Sequence, residues 1–484
     1  MRLAALALSL LVLLAPTVRA EDPPAAPALT TADVDALVGD WWYGVYTEGK
    51  KIGWAHIVYA REGTTFASRM TMHFELVAMG ESVVMDMEEE ERYDAAPPFA
   101  LQSITERGAQ GGDREERKAT RTPDGGLSVV TTNGEDVHTQ TIPPFTYGLE
   151  QDLASDLWIR RGPKKGEALS YTSFELDEAG TTNQKGTVLE VEERLLDGVK
   201  ARLFHVALED EREGPQGTIV ADERGVPVSA EVGGMFTLKR EPEEISKKLE
   251  ASGDLFLSGV AGIDAPLGET SALKSLELRV EGKAAGELFS GPQQLVSKEP
   301  GAGGEVVRLA LGASAPRVEA TADEVARASR ATTDVPSDHP EVQRLAKEAV
   351  AGATTPAEKV EKLVHFVASY VEDAYGANAL SVLDVIRRRK GDCTEHAQLF
   401  TALARAAGIP ARDAGGLMYM GDETKAFGGH AWNEVVLDGA WVPVDATFDQ
   451  VRADPAHVRL GADGAKDAQS RVFGKIRFVL VAKQ

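Results

Sequence analysis

The chain contains a single cysteine, Cys393, in 484 residues. It lies in Lys390-Gly391-Asp392-Cys393-Thr394-Glu395-His396-Ala397, a turn that enters a stretch whose apolar positions Phe400, Leu403, Ala404 and Ala407 recur at three and four. Gly408 and Pro410 then act as stop signals. Cys393 is therefore expected in the first turn of a helix, where unpaired backbone N–H groups and the helix dipole favour an anion. Such a placement lowers a thiol pKa when a cationic partner helps. It also aims N–H groups at any oxyanion formed on an attacked carbonyl. The chemistry this suits is nucleophilic attack by sulfur.

A thiol nucleophile needs a base, and the base needs an orienting group. The stretch from Gly429-His430-Ala431-Trp432-Asn433-Glu434 to Trp441-Val442-Pro443-Val444-Asp445-Ala446-Thr447 offers both, as two β-prone runs around Asp438-Gly439. That dipeptide suits a two-residue hairpin turn. With such a turn Leu437 faces Ala440, Trp432 falls opposite Asp445, and His430 lies one same-face step away, so imidazole and carboxylate share a face at diagonal spacing. A three-residue loop would instead put them on opposite faces. Pro443 cannot donate to a ladder and so marks an edge or an unpaired site.

Other polar candidates carry less. His396 follows Cys393 by three residues on the same helical face, which raises a metal site or an alternative base. One cysteine and one histidine are too few ligands for zinc, and no His-Glu-x-x-His pattern exists, so neither metal nor cofactor is expected. Trp432 and Trp441 read as packing residues, with Trp432 also a candidate for lining a substrate groove. His457 lies in a loop-like stretch and receives no role. The run Glu88-Glu89-Glu90-Glu91 matches no calcium loop and reads as a solvated strand or edge face.

The N-terminus reads as an export signal over residues 1–20: Arg2, the apolar run Leu3 to Ala15, then Val18-Arg19-Ala20 before the cut. The run is shorter than the roughly 20 residues that span a bilayer, so no membrane span is expected. The reading is an exported protein, periplasmic or secreted. Exported chains commonly pair their cysteines, and a lone thiol there is buried, bridges two chains, or does chemistry. With 52 basic against 76 acidic residues the net charge is -24, and no Lys/Arg-rich tract stands out. Nucleic acid is thus not an expected partner; a protein or peptide substrate is.

The expected fold class is α+β, with several domains in a chain of this length. A linker over 21–40 leads into an antiparallel β-rich domain over 41–245. Hairpins are expected around Glu48-Gly49-Lys50, around Gly125-Gly126, and between Val188-Leu189-Glu190-Val191 and Ala201 to Val206, with helices over 150–159 and 241–250. A small β extension over 246–333 has strand signals at Ser275 to Val280 and Glu305 to Leu311. Beyond Asp334 the period becomes helical, in Pro340 to Ala351, Ala357 to Val371 and Leu380 to Arg389, the second introduced by Thr355-Pro356.

Taken together, Gly391-Asp392-Cys393 opening a helix, Gly408-Ile409-Pro410-Ala411-Arg412 closing it, His430-Ala431-Trp432-Asn433-Glu434, and Trp441 through Thr447 resemble the transglutaminase-like superfamily, whose core is papain-like. The resemblance spans residues 334–484. It implies a helix-borne cysteine packed on antiparallel sheet, with Cys393 as nucleophile, His430 as general base and Asp445 as orienting acid. Thr394 and Glu395 depart from members that carry an aromatic or basic residue just after the cysteine. The implied reaction is acyl transfer through a thioester. Water as acceptor gives a peptidase or amidase, and a lysine amine gives a crosslink. A non-catalytic envelope binding or scaffold protein is the remaining alternative.

Overall fold

The computed structural model describes residues 29–484 except 48, 79–80, 111–112, 135, 177–178, 197, 211–213, 233–235, 251–258, 302–303, 375–380, 463–471 and 473. The expected export segment and the first part of the linker lie outside the described residues. The chain falls into two compact units that part between Ser252 and Gly253, with the short segment Val77–Glu81 grouped with the second.

In the first unit, fourteen described strands between Gly39 and Arg240 form one antiparallel sheet. The first eight run along the sheet in chain order, out to Asp136–Ile142 at one end. The last, Phe236–Arg240, pairs with the first, Gly39–Thr47, and the remaining strands continue outward to Ala168–Glu175. The expected hairpins are present: Thr47 pairs with Lys50, Arg121 with Leu127, and Val188 with Val206. The helix expected over 150–159 is two short helices, Leu149–Asp152 and Ala154–Arg160, meeting at Leu153. The one expected over 241–250 is a single turn, Glu243–Ser246. Lys51 ends it early, because its ammonium bonds the Ile245 carbonyl at 2.7 Å and its own carbonyl accepts from the Glu250 N–H at 2.7 Å.

The acidic run differs from expectation too. Glu88 to Glu91 lie on the strand Glu81–Asp94, which has a neighbour on either side, so it is no edge. Glu91 turns inward, opposite Ile104, and its carboxylate takes the Tyr93 hydroxyl at 3.0 Å. A strand alternates its faces, so a run of four like residues must send some of them inside.

The second unit is α+β, and its elements are numbered within it. Its described helices of seven residues or more are α1 (Pro340–Ala349), α2 (Pro356–Tyr370), α3 (Val382–Arg388) and α4 (Cys393–Ala406). The start of α2 is fixed by Thr355, which accepts the Glu358 N–H at 3.2 Å while Glu358 accepts the Thr355 N–H at 3.1 Å, with Pro356 in the first turn. The end of α4 is set by Gly408 at φ 79, where Ile409 N–H reaches the Ala404 carbonyl at 2.9 Å and Gly408 N–H the Arg405 carbonyl at 3.0 Å. This is the paired-bond C-cap that favours glycine.

The described strands of its two larger sheets are β1 (Ala261–Gly262), β2 (Ser275–Glu281), β3 (Gln294–Gly301), β4 (Gly304–Gly312), β5 (Ala411–Tyr419), β6 (Ala426–Leu437), β7 (Ala440–Val444), β8 (His457–Ala462) and β9 (Arg477–Lys483). One sheet has the order β1-β6-β5-β8, with β7 also paired to β6; a second has the order β3-β4-β2-β9. The chain end thus returns to pair with Ser275–Glu281. α4 is buried on nearly every side, and Leu399, Phe400 and Leu403 join Val342, Leu363, Val385, Val435 and Val444 in one core. A second core gathers Leu276, Leu278, Leu309 and Phe478 with Leu417, Phe427 and Val458.

Candidate active site

The hairpin between β6 and β7 turns on Asp438 at φ 50 and Gly439 at φ 80, which is the two-residue geometry. Its register runs Leu437 to Ala440, Val436 to Trp441, and on to Asn433 with Val444. Asp445 follows at the end of β7. The outcome is direct contact: His430 Nε2 lies 2.9 Å from Asp445 Oδ2, with His430 5% and Asp445 0% exposed. Pro443, on β7, pairs with Glu434 of β6, which is the neighbour of β7 among the described strands.

Cys393 opens α4, as its position before the apolar repeat requires, and is partly exposed. Asp392 caps the helix, accepting the Thr394 N–H at 2.7 Å, while its own N–H donates to Glu395 Oε2 at 2.8 Å. The cap therefore consumes donors that the sequence reading aimed at an oxyanion, and the Cys393 N–H is the helix-start donor nearest the sulfur. On the Cys393 side, β6 pairs with β1 through residue 427 and with β7 from residue 433. Ala431 lies in the interval between these pairings, and its N–H hydrogen-bonds toward the sulfur.

The thiol electrostatics run opposite to the sequence expectation. Burial of the sulfur, then the charges of Asp392, Asp445 and Glu395, push the thiol above its ordinary range, while the Ala431 N–H pulls it down. Burial and the nearby carboxylates alike favour the protonated thiol, which then needs a base to take its proton.

Asp445 is saturated with donors. Oδ1 accepts the Thr447 and Phe448 N–H groups at 2.8 and 3.3 Å, and Oδ2 faces two imidazoles, His430 at 2.9 Å and His457 at 3.1 Å. Burial opposes its charge, but the bonds and charges of His430 and His457 hold the carboxyl well below the usual carboxylate range. His457, given no role by the sequence reading, is the first residue of β8 and only 6% exposed. The signal that could have found it is the alternation Val458, Leu460 after Pro455, which marks a short strand with His457 at its start.

Trp432 is 2% exposed, enclosed between His430, with ring centroids 6.0 Å apart, and His457, at 5.2 Å. The ring therefore offers little surface to a groove in this structure. The aromatic that reaches solvent beside His430 is Phe448, half-exposed at 5.3 Å between ring centroids. His396 is buried with Nδ1 on the Asp392 carbonyl at 2.8 Å. Trp441 is buried under the Arg412 guanidinium, 3.7 Å from its ring centroid. His430, Asp445 and His457 also converge closely enough to hold a metal ion, their ligand atoms lying within 4.8 Å of one another. Their convergence is already explained by imidazole-to-carboxylate hydrogen bonds, and each Nε2 aimed at Asp445 is a donor there.

Among the described residues no helix is long and apolar enough to cross a membrane. No curated protein sequence matches the chain. Solved structures resemble it at low TM-score. A candidate cysteine protease from Cytophaga hutchinsonii is 18% identical, covering 47% of this chain and 86% of that one at TM-score 0.29. The periplasmic domain of TgpA from Pseudomonas aeruginosa is 13% identical, covering 62% and 98% at TM-score 0.25. A β-barrel-like protein of a domain of unknown function from Brucella abortus is 10% identical, covering 42% and 94% at TM-score 0.33. Residues 343–446 match the family model of the transglutaminase-like superfamily, a span that includes Cys393, His430 and Asp445. The second unit of this chain carries a transglutaminase-like domain.

Proposed function

We propose that the protein is an exported, cysteine-dependent hydrolase of protein or peptide amides. Cys393 is its nucleophile, His430 its general base and Asp445 the group that orients the base. The observation that carries this reading is the buried His430 to Asp445 hydrogen bond at 2.9 Å, on the strand whose next residue, Ala431, faces the Cys393 sulfur. Nε2 of His430 is committed to Asp445, so Nδ1 is the nitrogen that takes the thiol proton as sulfur attacks the amide carbonyl. The Cys393 N–H supports the oxyanion. The imidazolium then protonates the leaving amine, and a thioester remains on Cys393. In the second half His430 draws a proton from water, which attacks the thioester and releases the acid and the free thiol.

Water is favoured over an amine because aminolysis must exclude water from the thioester. Here Cys393 is partly exposed, Phe448 is half-exposed, and Trp432 and Trp441 are buried in the core instead of walling the site. Export rests on the N-terminal apolar run and the small residues before the expected cut. The test is incubation with casein and a fluorescent primary amine. Peptide fragments or ammonia without incorporated amine, lost in Cys393→Ala and His430→Ala, is the expected result; incorporation of the amine would replace hydrolysis by transfer.

A further inference from the structure

We propose that His457 is a positioning residue, held as an imidazolium between Asp445 and Asp454, which fixes the Asp445 carboxylate and divides its charge so that His430 stays able to accept a proton. The proposal rests on the roles given above to His430 and Asp445.

The protonation state follows from the partners. Nε2 of His457 faces Asp445 Oδ2 at 3.1 Å, and Nδ1 faces both the carbonyl oxygen and Oδ1 of Asp454, each at 3.1 Å. A backbone carbonyl only accepts, so Nδ1 carries hydrogen. Asp454 is itself an acceptor on both oxygens: Oδ1 takes the Ala456 N–H at 2.9 Å, and Oδ2 takes the Thr270 hydroxyl at 2.8 Å and the Gln450 amide at 3.1 Å. The Gln450 amide is oriented by its oxygen, which accepts the Asp454 N–H at 2.7 Å. Asp445 Oδ1 is occupied by two backbone N–H groups, so Oδ2 is the oxygen that receives both rings. A ring with acceptors at both nitrogens has two N–H bonds and a positive charge.

Among the described residues, the rings against His457 are Trp432, edge-on with 77° between planes, and the titratable His430, 5.6 Å between centroids. The ring is 6% exposed, and although burial works against its charge, the bonds to Asp445 and Asp454 raise its pKa to about 9.

Two consequences follow for catalysis. Asp445 sits where the chain leaves β7, and the second imidazole pins Oδ2 from the β8 side, so the carboxylate cannot rotate away from His430. The positive charge of His457 also offsets part of the Asp445 charge. A buried carboxylate shared between two imidazoles and two backbone N–H groups carries less uncompensated charge beside His430.

The experiment has two arms on the full chain. In Cys393→Ala labelled with ¹⁵N-histidine, His457 is expected to show two protonated ring nitrogens at pH 7.5 and to lose one only near pH 9. An unprotonated ring nitrogen on His457 at pH 7.5 would overturn the proposal even if every variant failed to fold. In the active chain, His457→Gln keeps a donor toward Asp445 but removes the charge. Its acid-side half-maximum of kcat/KM is expected to move up by about one pH unit, cutting activity at pH 6 about tenfold, with KM little changed. An equal loss at all pH values would mean a purely structural role and sink the idea. His430→Ala separates the two readings: if it turns over substrate like the parent, the proposed function fails, whatever state His457 shows.

Discussion

Asn433 donates its side-chain amide to the Ala397 carbonyl at 2.9 Å, joining β6 to α4 one turn beyond Cys393 and three residues beyond His430. The same amide reaches the Thr401 hydroxyl at 2.9 Å and Asp413 Oδ1 at 3.3 Å, and Asn433 is fully buried. It is a buried polar link between the element that carries the sulfur and the strand that carries the imidazole. Asn433→Ala removes it and leaves the Thr401 and Asp413 oxygens short of a buried donor. The expected cost is about 1 to 3 kcal/mol of stability, read by denaturant unfolding. A loss of kcat that exceeds the loss of folded protein is expected at 25 °C, because small misplacements at reacting atoms cost rate steeply.

Asp445→Asn probes the carboxylate itself. An amide offers one acceptor oxygen where each carboxylate oxygen serves two donors, so either the two imidazoles or the two backbone N–H groups must face an NH₂. The expected result is a fall in kcat of about 10³ to 10⁴ with a folded chain. Losing one of the two carboxylates that flank His457 should also lower stability, by about 1 to 3 kcal/mol since Asp454 remains. Steady-state kinetics on samples of matched circular dichroism check the first, and urea unfolding the second. Retention of full activity would remove Asp445 from the mechanism.

The raised thiol pKa makes a directional prediction. The thiolate is the reactive form, so alkylation of the resting enzyme by iodoacetamide is expected to be slow at pH 6 and to climb through pH 9. Asp392 is the charge that raises it most. Asp392→Asn keeps a good helix cap and removes that charge, so alkylation at pH 7.5 should be several-fold faster than in the parent. An unchanged rate would assign the raised pKa to burial and the other two carboxylates.

How much of this was legible in the sequence depends on the range over which each feature is decided. The Asp438-Gly439 turn is local, and it sets the whole register that brings His430 and Asp445 together. The Thr355-Pro356 start of α2 and the Gly408 end of α4 are likewise decided within a few residues. What escaped was decided at a distance. His457 looks like a loop residue because its strand is six residues long and places His457 and Arg459 between apolar neighbours; its purpose appears only when β8 pairs with β5. Glu91 was read as solvated because four glutamates in a row hide the alternation. The thiol was misjudged because the helix start is visible in sequence, whereas its burial and the nearness of Asp445 are not. The buried pairing of Glu434 with Arg412 at 2.7 Å and Arg459 at 2.6 Å also needs three strands at once.

In the first unit, Asp152 and Asp156 give a pH dependence of the less common sign. Burial raises Asp152 to about 6 against the hydroxyls of Tyr93 and Tyr147. Burial and the Asp152 charge raise Asp156 to about 7, against the Tyr59 hydroxyl. A carboxylate with a raised folded pKa binds its proton more tightly folded than unfolded, so between about pH 4 and pH 7 the native state holds more protons. Its contribution is then fully present at low pH and fades as pH rises through that window, the reverse of an ion-paired aspartate. The first unit is expected to melt at higher temperature at pH 5 than at pH 8. Asp156→Asn mimics the protonated form and should flatten this slope while raising the melting temperature at pH 8. Scanning calorimetry of both chains at the two pH values checks it, and a parent that melts higher at pH 8, with the variant unchanged, would show that these carboxylates are ionised in the folded unit.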